Sequence, residues 1–202
     1  MKLPNELKQS IRKVWNKKPK LLKTRPEILL CSNIPQPMHG VAPRVILGEK
    51  WWNATRQAAY KSTAYRCLAC GVSKQDAKMH HWLEGHELYK IDYKKGLMRY
   101  VETVPLCHYC HTYIHDGRLN ALLEQGRIHH AKFVAIMKHG DAVLAKAGLS
   151  RPLIRDRDDA IIDGMLAGEV APWNKWRLVI KGKRYPPRYK TLNDWRKAYD
   201  YD

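Results

Sequence analysis

Two Cys-x-x-Cys pairs, Cys67/Cys70 and Cys107/Cys110, stand 36 residues apart and constrain this chain more than any other feature. Four thiolates arriving as two knuckles enclose a tetrahedral Zn²⁺ at about 2.3 Å per sulfur, and such a site has no open position for chemistry. The cysteines are therefore read as a structural zinc clasp that folds the intervening segment back on itself. With four of the five cysteines in metal-like pairs, a disulfide framework is disfavoured and a reducing compartment is expected. Cys31 is left over and reads as an inert thiol.

The clasp holds a second set of potential ligands. Between the pairs lies Leu83-Glu84-Gly85-His86-Glu87-Leu88-Tyr89, and directly after the second pair comes His111-x-x-x-His115. Met79 to Tyr93 reads as a strand, Lys94-Lys95-Gly96 as its turn and Leu97 to Val104 as the returning strand. A helix that starts near Pro105 to Cys107 puts His111 and His115 on one face as a two-point metal grip, and Asp116-Gly117 supplies its stop.

These residues resemble the HNH (ββα-metal) nuclease family in its zinc-clasped, four-cysteine form, known from bacteria and phages. The resemblance covers about a quarter of the chain, and Leu-Cys-x-x-Cys-His-x-x-x-His is its most specific part. It implies an α+β protein whose small ββα-metal core carries a structural zinc site, flanked by helices and by basic N- and C-terminal extensions. By position, His86, His111 and His115 match the ligands of a catalytic metal. Glu87 falls where the family has its general-base histidine, and Glu102 where it often has an asparagine; both depart from the pattern. The activity implied is phosphodiester hydrolysis in double-stranded DNA, gripped from the minor-groove side and cut one strand per active site. A double-strand break then needs a homodimer or a second visit.

The residues themselves suit that chemistry. Three neutral imidazoles leave coordination positions open and add no negative charge, so a bound cation stays Lewis acidic. The set favours Zn²⁺, Ni²⁺, Co²⁺ or Mn²⁺ over Mg²⁺, which prefers oxygen ligands. Glu87, ionised at neutral pH, is placed to accept a proton from water. A competing register stays open: Glu84 and His86 share a strand face, so Glu84 can join the site with His86 as the base, and a bulge at Gly85 would change the alternation.

A formal net charge of +18 points to a polyanionic partner, nucleic acid before an acidic membrane surface. Residues 1–48 divide into a basic arm, with a short amphipathic helix over 5–16 and Lys17, Lys18 and Lys20 set to lie along phosphates, and a Pro-rich strap across the core. Residues 49–118 form the clasped core, opened by a helix over 49–62 that packs on it; 119–170 are helical in short pieces. His129, His130 and His139 there read as surface or core residues. Residues 171–202 return to a basic-aromatic composition, with a small hairpin presenting Lys181, Lys183 and Arg184. Cations interleaved with Trp and Tyr suit nucleic acid, whereas the same Trp residues packed on the core would leave only a ribbon. No apolar run approaches the roughly 18 residues of a membrane span, so a cytoplasmic protein is expected. A noncatalytic nucleic-acid binder and a structural zinc protein of a larger assembly are the alternatives to an enzyme.

Overall fold

The computed structural model describes residues 23–151 and 157–199. The arm, with its helix over 5–16 and Lys17, Lys18 and Lys20, lies outside the described residues. The fold is α+β. Four strands, β1 (Glu84–Asp92), β2 (Leu97–Leu106), β3 (Arg177–Ile180) and β4 (Lys183–Tyr185), form one sheet in the order β1-β2-β3-β4. Helices α1 (Pro43–Ser62), α2 (His108–Ile114), α3 (Asp116–Glu124), α4 (His130–Lys146), α5 (Arg157–Leu166) and α6 (Leu192–Ala198) surround it.

The β1–β2 hairpin turns where expected. Asp92 Oδ1 accepts a hydrogen bond from the Lys95 N–H at 3.0 Å, and Gly96 adopts φ +62°, a conformation that favours glycine. The first strand starts later than the sequence suggests, at Glu84 rather than Met79, because Met79 takes φ +78° and turns the chain out of extended geometry. The second strand runs further, through Pro105 to Leu106. Proline is tolerated there because β3 pairs only with Leu97–Arg99, leaving that end of β2 bonded to β1 alone. The Pro105 carbonyl accepts instead from the Leu68 N–H at 2.8 Å, which ties the first knuckle to the sheet.

Pro105 therefore does not open the following helix. Cys107 is the N-cap of α2, and the helix ends at Ile114, where His115 leaves helical geometry at φ −91°, ψ 51°. Gly117, expected as a stop, lies inside α3. Beyond it, α4 runs unbroken over His130–Lys146, longer than the short helical pieces expected for this region.

The strap combines short 3₁₀ turns at Pro26–Leu30 and Gln36–Met38, and it buries Ile28, Leu29 and Met38. Its last part already belongs to α1, which begins at Pro43 and kinks at Gly48 (φ 78°, ψ 174°). Helix α1 crosses the hairpin at Gly85, where an added Cβ would stand 2.9 Å from the Trp52 ring; only glycine permits that approach.

Two cores result. The larger packs Leu88, Val104, Leu106, Tyr113, Ile136 and Leu144 around the cysteines; burying each such side chain stabilises by about 1.5–3 kcal/mol. The smaller gathers Met38, Met98, Trp176, Leu178 and Ile180. The C-terminal segment thereby joins the sheet, with β3 lying parallel to β2 and the Arg177 N–H donating to the Gly96 carbonyl at 2.8 Å. Trp176 is fully buried, its indole N–H donating to the Ala171 carbonyl at 3.0 Å, and Trp195 is buried as well. These rings are core rather than stacking surface. Lys181, Lys183 and Arg184 remain exposed around the β3–β4 turn.

Candidate metal centres

The two knuckles converge. Cys67, Cys70, Cys107 and Cys110 are free thiols whose sulfurs all lie within 4.8 Å of one another. Cys70 Sγ and Cys107 Sγ are 3.8 Å apart, far beyond a disulfide bond. A tetrahedron with zinc–sulfur bonds of about 2.3 Å has an edge of about 3.8 Å, so the donor set and its spacing both fit Zn²⁺. The first knuckle is shaped by its backbone: the Gly71 N–H donates to the Cys67 carbonyl at 2.8 Å with Gly71 at φ +77°, and the Cys67 N–H donates to the Val72 carbonyl at 2.9 Å. In the second, the His111 N–H donates to the Cys107 carbonyl at 2.9 Å. His139, expected at the surface or in the core, brings Nε2 within 3.4 Å of Cys110 Sγ. An N–H aimed at a metal-bound sulfur is the kind of outer contact that steadies a ligand.

A second cluster forms beside the clasp. His86 from β1, His111 from α2 and His115 from the break after α2 bring their ligand atoms within 4.8 Å of one another. Ring centroids are 5.4 Å apart for His86 and His111, 5.1 Å for His86 and His115, and 4.7 Å for His111 and His115. Burial pushes His86 down to about 2 and His115 down to about 4, with neighbouring positive charges acting in the same direction. Both rings are therefore held neutral, the form that ligates a metal. An imidazole set of this kind suits Zn²⁺, Ni²⁺ or Mn²⁺ better than Mg²⁺.

Glu87 borders the same pocket as His86, His115 and Tyr89, and Ser32 and Asn33 of the strap line it too. Its side chain is 6% exposed and held by Arg44, whose Nη1 donates to Oε2 at 2.7 Å and whose backbone N–H donates to Oε1 at 3.3 Å. Burial raises the Glu87 carboxyl, and Arg44 opposes that rise. Arg44 escaped the sequence reading because its site partners lie on a distant strand; its only local signal is Pro43 before it, marking a helix start.

Glu102 is not brought to the histidines. It stands opposite Leu88 on β2, accepts from Arg25 Nη1 at 2.6 Å and is not among the residues that gather with the histidines. The bulge weighed at Gly85 falls instead between Leu88 and Tyr89. Alternation is consequently unbroken from Glu84 to His86, and the two share a face.

Glu84 meets histidines on both oxygens. Oε1 lies 2.8 Å from His108 Nδ1 and 3.1 Å from His80 Nε2, and Oε2 bonds His111 Nδ1. Burial alone raises this carboxyl, but the bonds from His108 and His111 outweigh it and hold Glu84 well below the usual carboxylate range. His80 and His108 were not singled out in the sequence, although His80-x-x-x-Glu84 and the His inside the second knuckle were visible there.

No family model, curated protein or solved structure matches the chain. Among the described residues, no helix is long and apolar enough to cross a membrane.

Proposed function

We propose that this chain is a metal-dependent DNA endonuclease of the HNH (ββα-metal) type that nicks one strand per active site. The observation that carries the reading is the meeting of His86, His111 and His115 on a hairpin and its following helix, beside the buried carboxylate of Glu87. The formal charge of +18 supports a polyanionic substrate.

In this reading His86, His111 and His115 would hold a divalent ion, and that ion would supply charge relief at the phosphoryl and leaving oxygens. Glu87 accepts the proton of the attacking water as its oxygen bonds to phosphorus and the bond to the leaving oxygen breaks; solvent returns a proton to that oxygen. The rise that burial imposes on Glu87 improves it as a base at neutral pH. Arg44, half-exposed, offers its remaining N–H groups to a non-bridging phosphate oxygen. Lys181, Lys183 and Arg184 contact the backbone of the duplex.

A second reading, a metal-stabilised DNA binder that does not cut, is favoured by the bonding of Glu87 to Arg44 and of Glu102 to Arg25. Supercoiled plasmid incubated with protein and Mn²⁺, Ni²⁺, Mg²⁺ or chelator separates the two. Conversion to nicked circles with Mn²⁺ or Ni²⁺, lost by about 10²–10⁴-fold in Glu87→Gln with metal content retained, supports the enzyme. Salt-sensitive binding without conversion supports the binder.

A further inference from the structure

We propose that His80, Glu84 and His108 form another metal site, for a divalent transition ion such as Zn²⁺, adjoining the His86, His111 and His115 cluster through the carboxylate of Glu84. The ligand atoms of the three residues lie within 4.8 Å of one another. Two of the spacings are 3.1 Å (His80 Nε2 to Glu84 Oε1) and 2.8 Å (His108 Nδ1 to Glu84 Oε1). Ligands held at about 2.0–2.1 Å by a tetrahedral ion stand about 3.3 Å apart, so small outward movements admit the ion. Two imidazoles and one carboxylate are a zinc-binding donor set that keeps a position open.

Each donor is fixed by a different part of the fold. His108 sits between the two thiols of the second knuckle, in the first turn of α2. Glu84 is the first residue of β1. His80 follows the strained Met79 (φ +78°) and stacks on Trp82 with centroids 3.6 Å apart and planes 17° from parallel. The His80 and His108 rings meet edge to face at 4.8 Å. Side-chain exposures of 16% for His80, 23% for Glu84 and 24% for His108 leave an entry path from solvent while removing most of the competing water.

Glu84 gives the two histidine clusters a common element. Oε1 faces the proposed ion, and Oε2 bonds His111 Nδ1, leaving Nε2 as the free ligand atom of that ring. Occupation of one cluster therefore changes the charge on the carboxylate that orients a ligand of the other, and the effect is reciprocal in the two binding affinities.

The test uses zinc alone, with the whole chain. An anomalous difference map from crystals of the unaltered protein grown with zinc is expected to show a peak among His80 Nε2, Glu84 Oε1 and His108 Nδ1. In solution, His80→Ala is expected to retain about one zinc equivalent per chain fewer than the unaltered protein after gel filtration, with the clasp zinc kept as a check on folding. If His80→Ala fails to fold, the map decides by itself. A map without that peak, or a folded His80→Ala with undiminished zinc, overturns the proposal. Neither measurement involves cleavage, so failure of the nuclease reading and failure of this site are seen separately.

Discussion

Gly140 of α4 crosses Tyr113 of α2 so closely that a Cβ added at Gly140 would lie 2.1 Å from the tyrosine ring. The Tyr113 hydroxyl then donates to Asp141 Oδ1 at 2.7 Å, fixing α2, and with it His111, against α4. Alanine in place of a mid-helix glycine ordinarily stabilises by about 1 kcal/mol. Here overlap with a fully buried ring opposes it, at a cost of about 1–3 kcal/mol or more. Gly140→Ala is expected to lower the urea midpoint of unfolding; an unchanged or higher midpoint would show that the two helices do not cross there.

The clasp predicts two different losses. Cys107→Ser removes one of the four thiolates that would hold zinc and a buried element of the larger core, so zinc binding at the clasp and the cooperative unfolding transition should both be lost. His139→Ala removes the outer contact to Cys110 and the edge-on packing on Tyr109 but no ligand, and zinc should stay bound with affinity weakened by about 10–100-fold in a chelator competition. Equal affinity in His139→Ala and the unaltered chain would remove His139 from the site.

Acid should destabilise the fold through buried His86 and half-buried His115. His86 is held at about 2 and His115 at about 4 in the folded, metal-free site, whereas the unfolded chain protonates such rings near an ordinary value of about 6.5. Below about pH 6.5 the unfolded state thus binds more protons, and stability that is fully present above that pH is lost as pH falls toward 4 and then 2. Urea midpoints measured from pH 7.5 to 5.5 should fall more steeply for the unaltered protein than for His86→Asn/His115→Asn. Parallel profiles would mean that the rings are not held neutral by burial.

The exposed turn between β3 and β4 carries a prediction about salt. Lys181, Lys183 and Arg184 are free of the core, and each phosphate neutralised contributes about −0.9 to the slope of log K against log salt. Replacing all three by alanine should weaken duplex binding and flatten that slope by roughly 2–3 in a fluorescence-anisotropy titration. An unaltered slope would place the DNA on another face.

Features set by neighbouring residues were legible in the sequence. The knuckle spacing, the Lys94-Lys95-Gly96 turn, the helix over 49–62 and the β3–β4 hairpin all arise from local geometry, and all appear in the structure. What was not legible depends on residues far apart in the chain. Nothing around Arg177 announces that β3 will add parallel to β2, because that pairing is decided by burying Trp176 and Leu178 against Met98. Period-2 patterning carried the first strand back to Met79, where a positive φ interrupts it. Glu84 was legible as an alternative member of the site, on the strand face of His86, but its contacts with His80, His108 and His111 emerge only once α2 lies against β1. Glu102 lies on the second strand as expected, but its ion pair with Arg25, 77 residues earlier in the chain, is not visible in local sequence.

Cleavage by this chain requires that His86, His111 and His115 together hold the divalent ion. Supercoiled plasmid should be nicked by the unaltered protein with added Mn²⁺ or Ni²⁺, while His115→Ala that retains its clasp zinc should nick at least about 100-fold more slowly. Nicking by zinc-clasped His115→Ala at the unaltered rate would contradict it.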